Sequence, residues 1–259
     1  MPRALRVTVV VPVLDDADQL RACLGALARQ TRPADEVIVV DNGSSDESVR
    51  VALRAGAVVL HEPVRAIGAA AARGYDAATG DLVARIDSDT VVPTDWLARA
   101  TGWFADPLVT AVTGPGRLRG LGPVEGAFWQ SAYMTAYFVL VWGSLARPPL
   151  FGSNMVVRRD AWLAVRGRVH RTDPEVHDDI DLALQFDPAW RTRFDRLLVV
   201  SVSGVPVRDA SGLVRRIRKA VHTMLVAGRV GNPVRRHVRR WATGTRVVEH
   251  RVGHPVRTG

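Results

Sequence analysis

Four short runs rich in β-branched residues alternate with helical patterns over the first 90 positions, and three of the four stop at an aspartate. The first, Arg6 to Leu14, carries Val7, Val9, Val10, Val11 and Val13 almost without interruption, as in a strand covered on both faces. Asp16-x-x-Gln19 has the form of a capping box, and Leu20, Cys23, Leu24 and Leu27 then fall at i, i+3, i+4 and i+7. Gln30-Thr31-Arg32-Pro33 ends that helix. Glu36 to Val40 is the second strand, and Asn42 to Asp46 is a turn opening a helix that runs to about Ala55. Ala57 to Leu60, an Ala-rich helix over Gly68 to Ala78, and the strand Asp81 to Ile86 complete the series. Strands alternating with helices predict an α/β domain, Rossmann-like, with a mostly parallel central sheet flanked by helices. Such sheets bind ligands beyond the carboxyl ends of their strands, which is where Asp15, Asp41, Asp87 and Asp89 stand.

Ile86-Asp87-Ser88-Asp89-Thr90 is the most acidic of these ends, and Pro93 stops the strand from continuing as a regular ladder. Two carboxylates at the end of a buried strand cost desolvation energy unless positive charge lies between them. A hard divalent cation, Mg²⁺ or Mn²⁺, carrying a diphosphate would supply that charge through oxygen ligands.

A single cysteine, Cys23, allows no internal disulfide, and its place on an apolar stripe marks it as a core residue. With no disulfide possible, a cytoplasmic protein is expected. No signal peptide is evident, since the apolar run Val7 to Leu14 is short and ends in Asp15-Asp16. The net charge of +9 is unevenly spread: positions 210–259 hold twelve Arg or Lys and one acid, leaving the first 209 residues at −2. This divides the chain into a domain over 1–209 and a basic extension over 210–259. The extension is expected to form an amphipathic helix and then a partly disordered tail. Gly126 to Ala146 holds no charged residue for 21 positions; Gln130, Ser131, Thr135 and Ser144 dilute it, and it reads as a buried or interfacial helix.

Taken together, several segments resemble a known family. Val9-Val10-Val11-Pro12-Val13, Gln30-Thr31-Arg32-Pro33 and Val39-Val40-Asp41-Asn42-Gly43-Ser44-Ser45-Asp46 are similar to the start of a family 2 glycosyltransferase with the GT-A fold. Gly68, Ala72-Arg73 and Gly80-Asp81 follow in the family's order, leading to its Asp-x-Asp motif at Asp87-Ser88-Asp89, with Gly74 where the family usually has Asn. Gly152 to Arg159 resembles the acceptor-side loop and helix. His177-Asp178-Asp179-Ile180-Asp181-Leu182 resembles the Glu-Asp-x-Asp-Leu motif, with Asp178 replacing Glu.

The resemblance implies inverting, metal-dependent transfer of a sugar from a nucleoside diphosphate sugar to an acceptor hydroxyl. Asp89 is then the first choice for the Mg²⁺ or Mn²⁺ ligand, and Asp87 a contact to ribose or donor sugar that shares the metal. Asp41 would bind the base, Pro12 and Asp15 would line the nucleotide pocket, and Arg73 would face the diphosphate. Asp179 would be the general base. Gly152, Ser153, Asn154 and Asp178 fall on the acceptor side. Three carboxylates on one turn (Asp178, Asp179, Asp181) should also repel one another and raise at least one pKa. His177 reads as a satisfied surface histidine, and Trp162 as core.

In the extension, Val214, Ile217, Val221, Met224 and Leu225 fall at helical spacing with Arg215, Arg216, Arg218 and Lys219 opposite, a pattern suited to a membrane surface. With the uncharged aromatic stretch it tilts the acceptor toward a lipid-linked one, reached at the cytoplasmic face of a membrane. His237-Val238-Arg239-Arg240-Trp241 distantly resembles the Gln-x-x-Arg-Trp motif of processive members, with His in place of Gln. Two other classes compete. A sugar-1-phosphate nucleotidyltransferase needs a Gly-rich basic loop after the first strand, where this chain has Leu14-Asp15-Asp16-Ala17-Asp18. A non-catalytic nucleic-acid binder acting through the tail would use its arginines on phosphates, but the acidic body carries no recognisable nucleic-acid module.

Overall fold

Seven strands form one sheet in the order β3-β2-β1-β4-β7-β5-β8. They are β1 (Val7–Val13), β2 (Glu36–Asp41), β3 (Val58–His61), β4 (Leu82–Arg85), β5 (Val109–Thr113), β7 (Met155–Arg158) and β8 (Arg191–Phe194). The computed structural model describes residues 4–119, 141–143, 145–203, 210–227 and 232–244. The first four strands are mutually parallel, β7 runs antiparallel between β4 and β5, and β8 is parallel to β5. A separate parallel pair joins β6 (Gly116–Arg119) to β9 (Val200–Ser203). The sheet is thus mostly parallel, as the alternating pattern requires.

β1 is buried at every position because helices cover both faces. On one face Val7, Val9 and Val11 meet Leu20, Cys23, Leu24 and Leu27 of α1 (Ala17–Leu27), which also brings Cys23 into the core. On the other, Val10 meets Ala70, Ala71 and Tyr75 of α3 (Ile67–Ala77). A Cβ at Gly74 would lie 2.3 Å from Val10 Cγ1, so the glycine lets α3 approach the sheet closely. α2 (Ser48–Arg54) and α4 (Trp96–Gly102) lie in the β2–β3 and β4–β5 connections. The ladder between β1 and β4 ends at Val10↔Arg85, so Pro12 stands beyond it, where no N–H is needed on that side.

Two local expectations change. Asp16 makes no capping hydrogen bond to α1. Its carboxylate accepts instead from the Ser88 hydroxyl (2.7 Å), and the Ala17 N–H goes to Asp46 Oδ2 (2.9 Å). The segment Met155 to Arg158 is strand β7, and the helix α5 (Arg159–Val165) starts only after it. Met155, Val156 and Val157 are all buried between β4 and β5, which suits β-branched residues better than a helix would.

The basic extension is tied into the body. The short helix α6 (Asp178–Gln185) carries the second acidic motif. At its start, the His177 N–H donates to Thr223 Oγ1 of α7 (Ala210–Val226) at 2.8 Å. At its end, Arg236 of α8 (Pro233–Gly244) donates to the carbonyls of Leu184 (2.7 Å) and Ala183 (3.3 Å). The same guanidinium donates to the Leu145 carbonyl at 3.0 Å. Both ends of α6 therefore find partners in the extension, as exposed helix termini require. The predicted stripe on α7 is only partly inward: Met224 is half-buried, Val221 and Leu225 are exposed, and Thr223 and Ala227 take the buried side. The side chains of Val214 and Ile217, most of the uncharged stretch 126–146, and the tail from 245 onward lie outside the described residues.

Candidate active site

The carboxyl ends of β1 and β2 make one wall. Asp15 follows β1 with a φ of 49°, a left-handed conformation that Asp tolerates better than most residues. This turns its carboxylate to the neighbouring loop, where Oδ1 accepts from the Ser45 N–H (2.6 Å) and hydroxyl (3.0 Å). These bonds hold the Asp15 carboxyl below its usual range. Asp41 is buried at the end of β2, accepting from the Ser44 N–H at 2.9 Å and lying 3.2 Å from His61 Nδ1. Burial works to raise this carboxyl, but the Ser44 and His61 hydrogen bonds outweigh it and hold it low. His61 was not foreseen; it ends β3 in register with Asp41, a pairing that sequence alone does not fix.

The second wall is the Asp-x-Asp segment after β4. Ser88 is anchored to Asp16, and the Asp89 carbonyl accepts from Arg119 of β6. The Asp89 carboxylate itself accepts one long hydrogen bond among the described residues, from the Ser203 N–H at 3.3 Å. Burial, then the charge of Asp87, pushes Asp89 up to about 6. A buried carboxylate held so far from its ordinary value is undercompensated, and it suits a site that takes up positive charge. No three His, Cys, Asp or Glu among the described residues group closely enough to cage a metal by themselves. A pair of carboxylates fits Mg²⁺ or Mn²⁺ when substrate phosphates complete the shell.

Arg85, the last residue of β4, is the member of this site that sequence reading missed. Its side chain is 2% exposed. One nitrogen donates to Asp87 Oδ1 at 2.9 Å and another to Asp178 Oδ2, so a single guanidinium joins the two acidic motifs. Gly152 lies on top of it: a Cβ there would stand 2.6 Å from Arg85 Nη1. The next residue, Ser153, donates its hydroxyl to Asp87 Oδ2 at 2.5 Å, while the Gly152 N–H donates to Asp179 Oδ2 at 3.0 Å. One turn thus orients a carboxylate from each motif.

The three acids of α6 diverge. Asp178 turns to Arg85. Asp181 is buried and accepts from the His170 N–H (2.6 Å), His170 Nδ1 (3.0 Å) and Gln185 (3.2 Å). Asp179 turns to Gly152, and its Oδ1 accepts from the Ile180 N–H at 2.7 Å. Mutual repulsion is accordingly not the leading effect. Burial raises the Asp178 carboxyl against the pull of Arg85, and Asp179 contributes after both.

Some expected residues stand apart. Asn154 is wholly buried: its Oδ1 accepts from Trp96 Nε1 (2.8 Å) and its Nδ2 donates to the Leu198 carbonyl (2.6 Å). Both ends of the amide are used to knit α4 to the β8–β9 connection, leaving neither to meet an acceptor. Arg73 is exposed on α3, and no described contact ties it to the carboxylates. Pro12 is buried within β1. Trp162 is core, donating to Asp76 at 2.9 Å and packing edge-on to Tyr75. With Gly68, His170, Arg171 and Asp178 it borders a small cleft beside α6. His177 caps the start of α6 as a half-buried residue.

The Asp89 shift carries a testable pH dependence. Its folded pKa of about 6 lies above the ordinary 3.8, so between those values the folded state binds a proton that the unfolded chain does not. Stability of the metal-free protein therefore falls as pH rises through that window. Urea midpoints measured without metal at pH about 5 and about 7.5 should drop for wild type and change less for Asp89→Asn. Equal pH dependence in the two proteins would contradict the assignment.

Comparison with known proteins points to one family. The family model described as glycosyl transferase family 2 matches residues 8–161. An uncharacterized glycosyltransferase of Mycobacterium tuberculosis is 34% identical over 161 residues, covering 61% of this chain and 69% of the relative. The pre-mycofactocin glycosyltransferase of the same organism is 33% identical over 207 residues, covering 75% of this chain and 42% of the relative. Among solved structures, a mannosyltransferase from Pyrobaculum calidifontis in complex with GDP-mannose and Mn²⁺ superposes with a TM-score of 0.69 at 24% identity, over 93% of this chain and 70% of that one. Glucosyl-3-phosphoglycerate synthase of M. tuberculosis, with Mn²⁺ and UDP-glucose, gives 0.64 at 21% identity, over 86% and 79%.

Proposed function

The chain belongs to glycosyl transferase family 2, and from that premise we propose that it transfers a sugar, with inversion, from a nucleoside diphosphate sugar to an acceptor hydroxyl. The observation that carries this reading is the Gly152–Ser153 turn, which hydrogen-bonds Asp87 of the donor-side motif and Asp179 of the second motif at once. Two reaction partners need to be held in line within a few ångströms, and a shared turn fixes their carboxylates relative to each other.

Asp89 and Asp87 would hold a divalent cation, Mn²⁺ or Mg²⁺, as in the neighbours crystallised with Mn²⁺ and a nucleotide sugar. That cation would neutralise charge on the departing diphosphate. Asp41 and Asp15, fixed by Ser44 and Ser45, line the side suited to the nucleoside. Asp179 takes the proton from the acceptor hydroxyl through Oδ2. The acceptor oxygen forms its bond to the anomeric carbon as the bond to the diphosphate breaks on the opposite face, which inverts that centre. The N–H groups of Gly152 and Ile180 keep the carboxylate of Asp179 turned to one side. Arg85 keeps Asp87 and Asp178 compensated between turnovers. We further propose that the acceptor is carried by a lipid; the exposed faces of the extension support this.

Calorimetric titration with UDP, GDP and dTDP, each with and without Mn²⁺, tests the donor site. One nucleotide should bind in a metal-dependent way, and Asp89→Ala should abolish that binding. A folded protein that binds none of the three would overturn the proposal.

A further inference from the structure

Helix α8 docks through an arginine and leaves apolar residues outside: Arg236 is buried against the carbonyls of Leu145, Ala183 and Leu184. Val234, Val238 and Trp241 follow at i, i+4 and i+7, a single stripe on the far side. They are 71%, 59% and 79% exposed. A surface helix of a globular protein buries such a stripe. Scattered exposed apolar residues are ordinary, but an aligned stripe ending in a tryptophan marks a contact surface. Exposed Arg235 and Arg239 flank it. On α7, Val221 and Leu225 are also exposed, alongside Arg215; Arg218 is exposed as well but pairs with Glu175 at 2.7 Å.

From these faces we propose that α8, helped by the outer face of α7, docks on an anionic phospholipid surface. The aliphatic stripe enters the headgroup boundary with Trp241 at its level, and the flanking arginines meet lipid phosphates. Charge selects this occupant. Positions 210–259 carry twelve basic residues and one acid, while the preceding 209 residues sum to −2, so a negative surface attracts this end of the chain alone. No helix among the described residues is long and apolar enough to cross a membrane. The proposal gives the lipid-borne acceptor of the preceding section its route to α6, but it stands on the extension's own faces and not on the donor site.

The test uses the full chain in vesicle flotation, with phosphatidylcholine alone and with phosphatidylglycerol added, at low and high salt. Wild type should float with the anionic vesicles and stay behind with phosphatidylcholine. The double variant Val238→Glu/Trp241→Glu should bind at least about tenfold more weakly. Arg235→Gln/Arg239→Gln should weaken binding and flatten its salt dependence. All four side chains are exposed, and circular dichroism checks that each variant retains the fold. Absence of vesicle binding by folded wild type, or equal binding by the stripe variant, overturns the proposal. So does ultracentrifugation showing a wild-type dimer that the stripe variant breaks, since a second copy then covers the stripe. Binding of nucleic acid in place of vesicles would overturn it as well. Nucleotide titration of the same samples reads the donor site separately, so failure of either reading leaves the other distinguishable.

Discussion

Asp179→Asn should lower kcat by about 10²–10⁴-fold while leaving the affinity for nucleotide and metal nearly unchanged. Asparagine preserves the size of the side chain and can keep its oxygen on the Gly152 N–H. It cannot take a proton at Oδ2, so the loss falls on the chemical step. The donor side should feel little, because Asp87 keeps its bonds to Arg85 and Ser153. Steady-state kinetics with the donor and acceptor varied separately, beside calorimetry of the nucleotide, check this. A kcat within about threefold of wild type would remove Asp179 from the role of base.

Arg85→Ala is the largest stability loss expected, about 3–5 kcal/mol, the range for removing one partner of a buried ionic group. The guanidinium is 2% exposed and serves two carboxylates. Without it Asp87 and Asp178 remain at the same place with like charge and little solvent. Gly152, which rests against the guanidinium, would lose its support, and the Ser153 and Asp179 contacts of that turn would loosen with it. Arg85→Lys should recover only part of the loss, because a lysine presents one point charge where the guanidinium reaches both partners in a plane. Urea denaturation of the three proteins measures the order. An alanine variant as stable as wild type would show that the two acids need no compensation from position 85.

Much of the fold was legible because its first half is regular. A strand buried on both faces reads as a near-continuous apolar run, and β1 announces itself by five valines. The acids after β1, β2 and β4 were legible for the complementary reason, since a carboxylate that interrupts such a run marks where the sheet ends. Arg85 gave the same kind of signal and was passed over. It is an arginine inside Leu82-Val83-Ala84-Arg85-Ile86, where a fully buried strand tolerates no unpaired charge, and two acids follow within four residues. Its second partner, Asp178, lies 93 residues away, and that distance in sequence hid the pairing. Strands β5, β6, β8 and β9 break up their apolar residues with Thr, Arg or Ser and lack the continuous apolar run that marks β1 to β4, so they are not legible in the sequence. The burial of Asn154 is not legible, because an amide between a glycine-serine turn and a strand looks the same in sequence whether it faces a ligand or, as here, the Trp96 indole N–H and the Leu198 carbonyl.

The grip of the extension on both ends of α6 has a consequence for the order in which the molecule is completed. The sheet and its first helices contain their own partners and can assemble as the chain emerges, amino end first. The partner for the N–H that opens α6 is residue 223, and the partner for the carbonyls that close it is residue 236. Both are synthesised after every strand of the sheet. The Gln185 carbonyl is already held by Arg168, but the remaining bonds at the two ends of the segment bearing Asp179 are closed by the last described helices to leave the ribosome, so the sheet is largely built before this segment is fully locked.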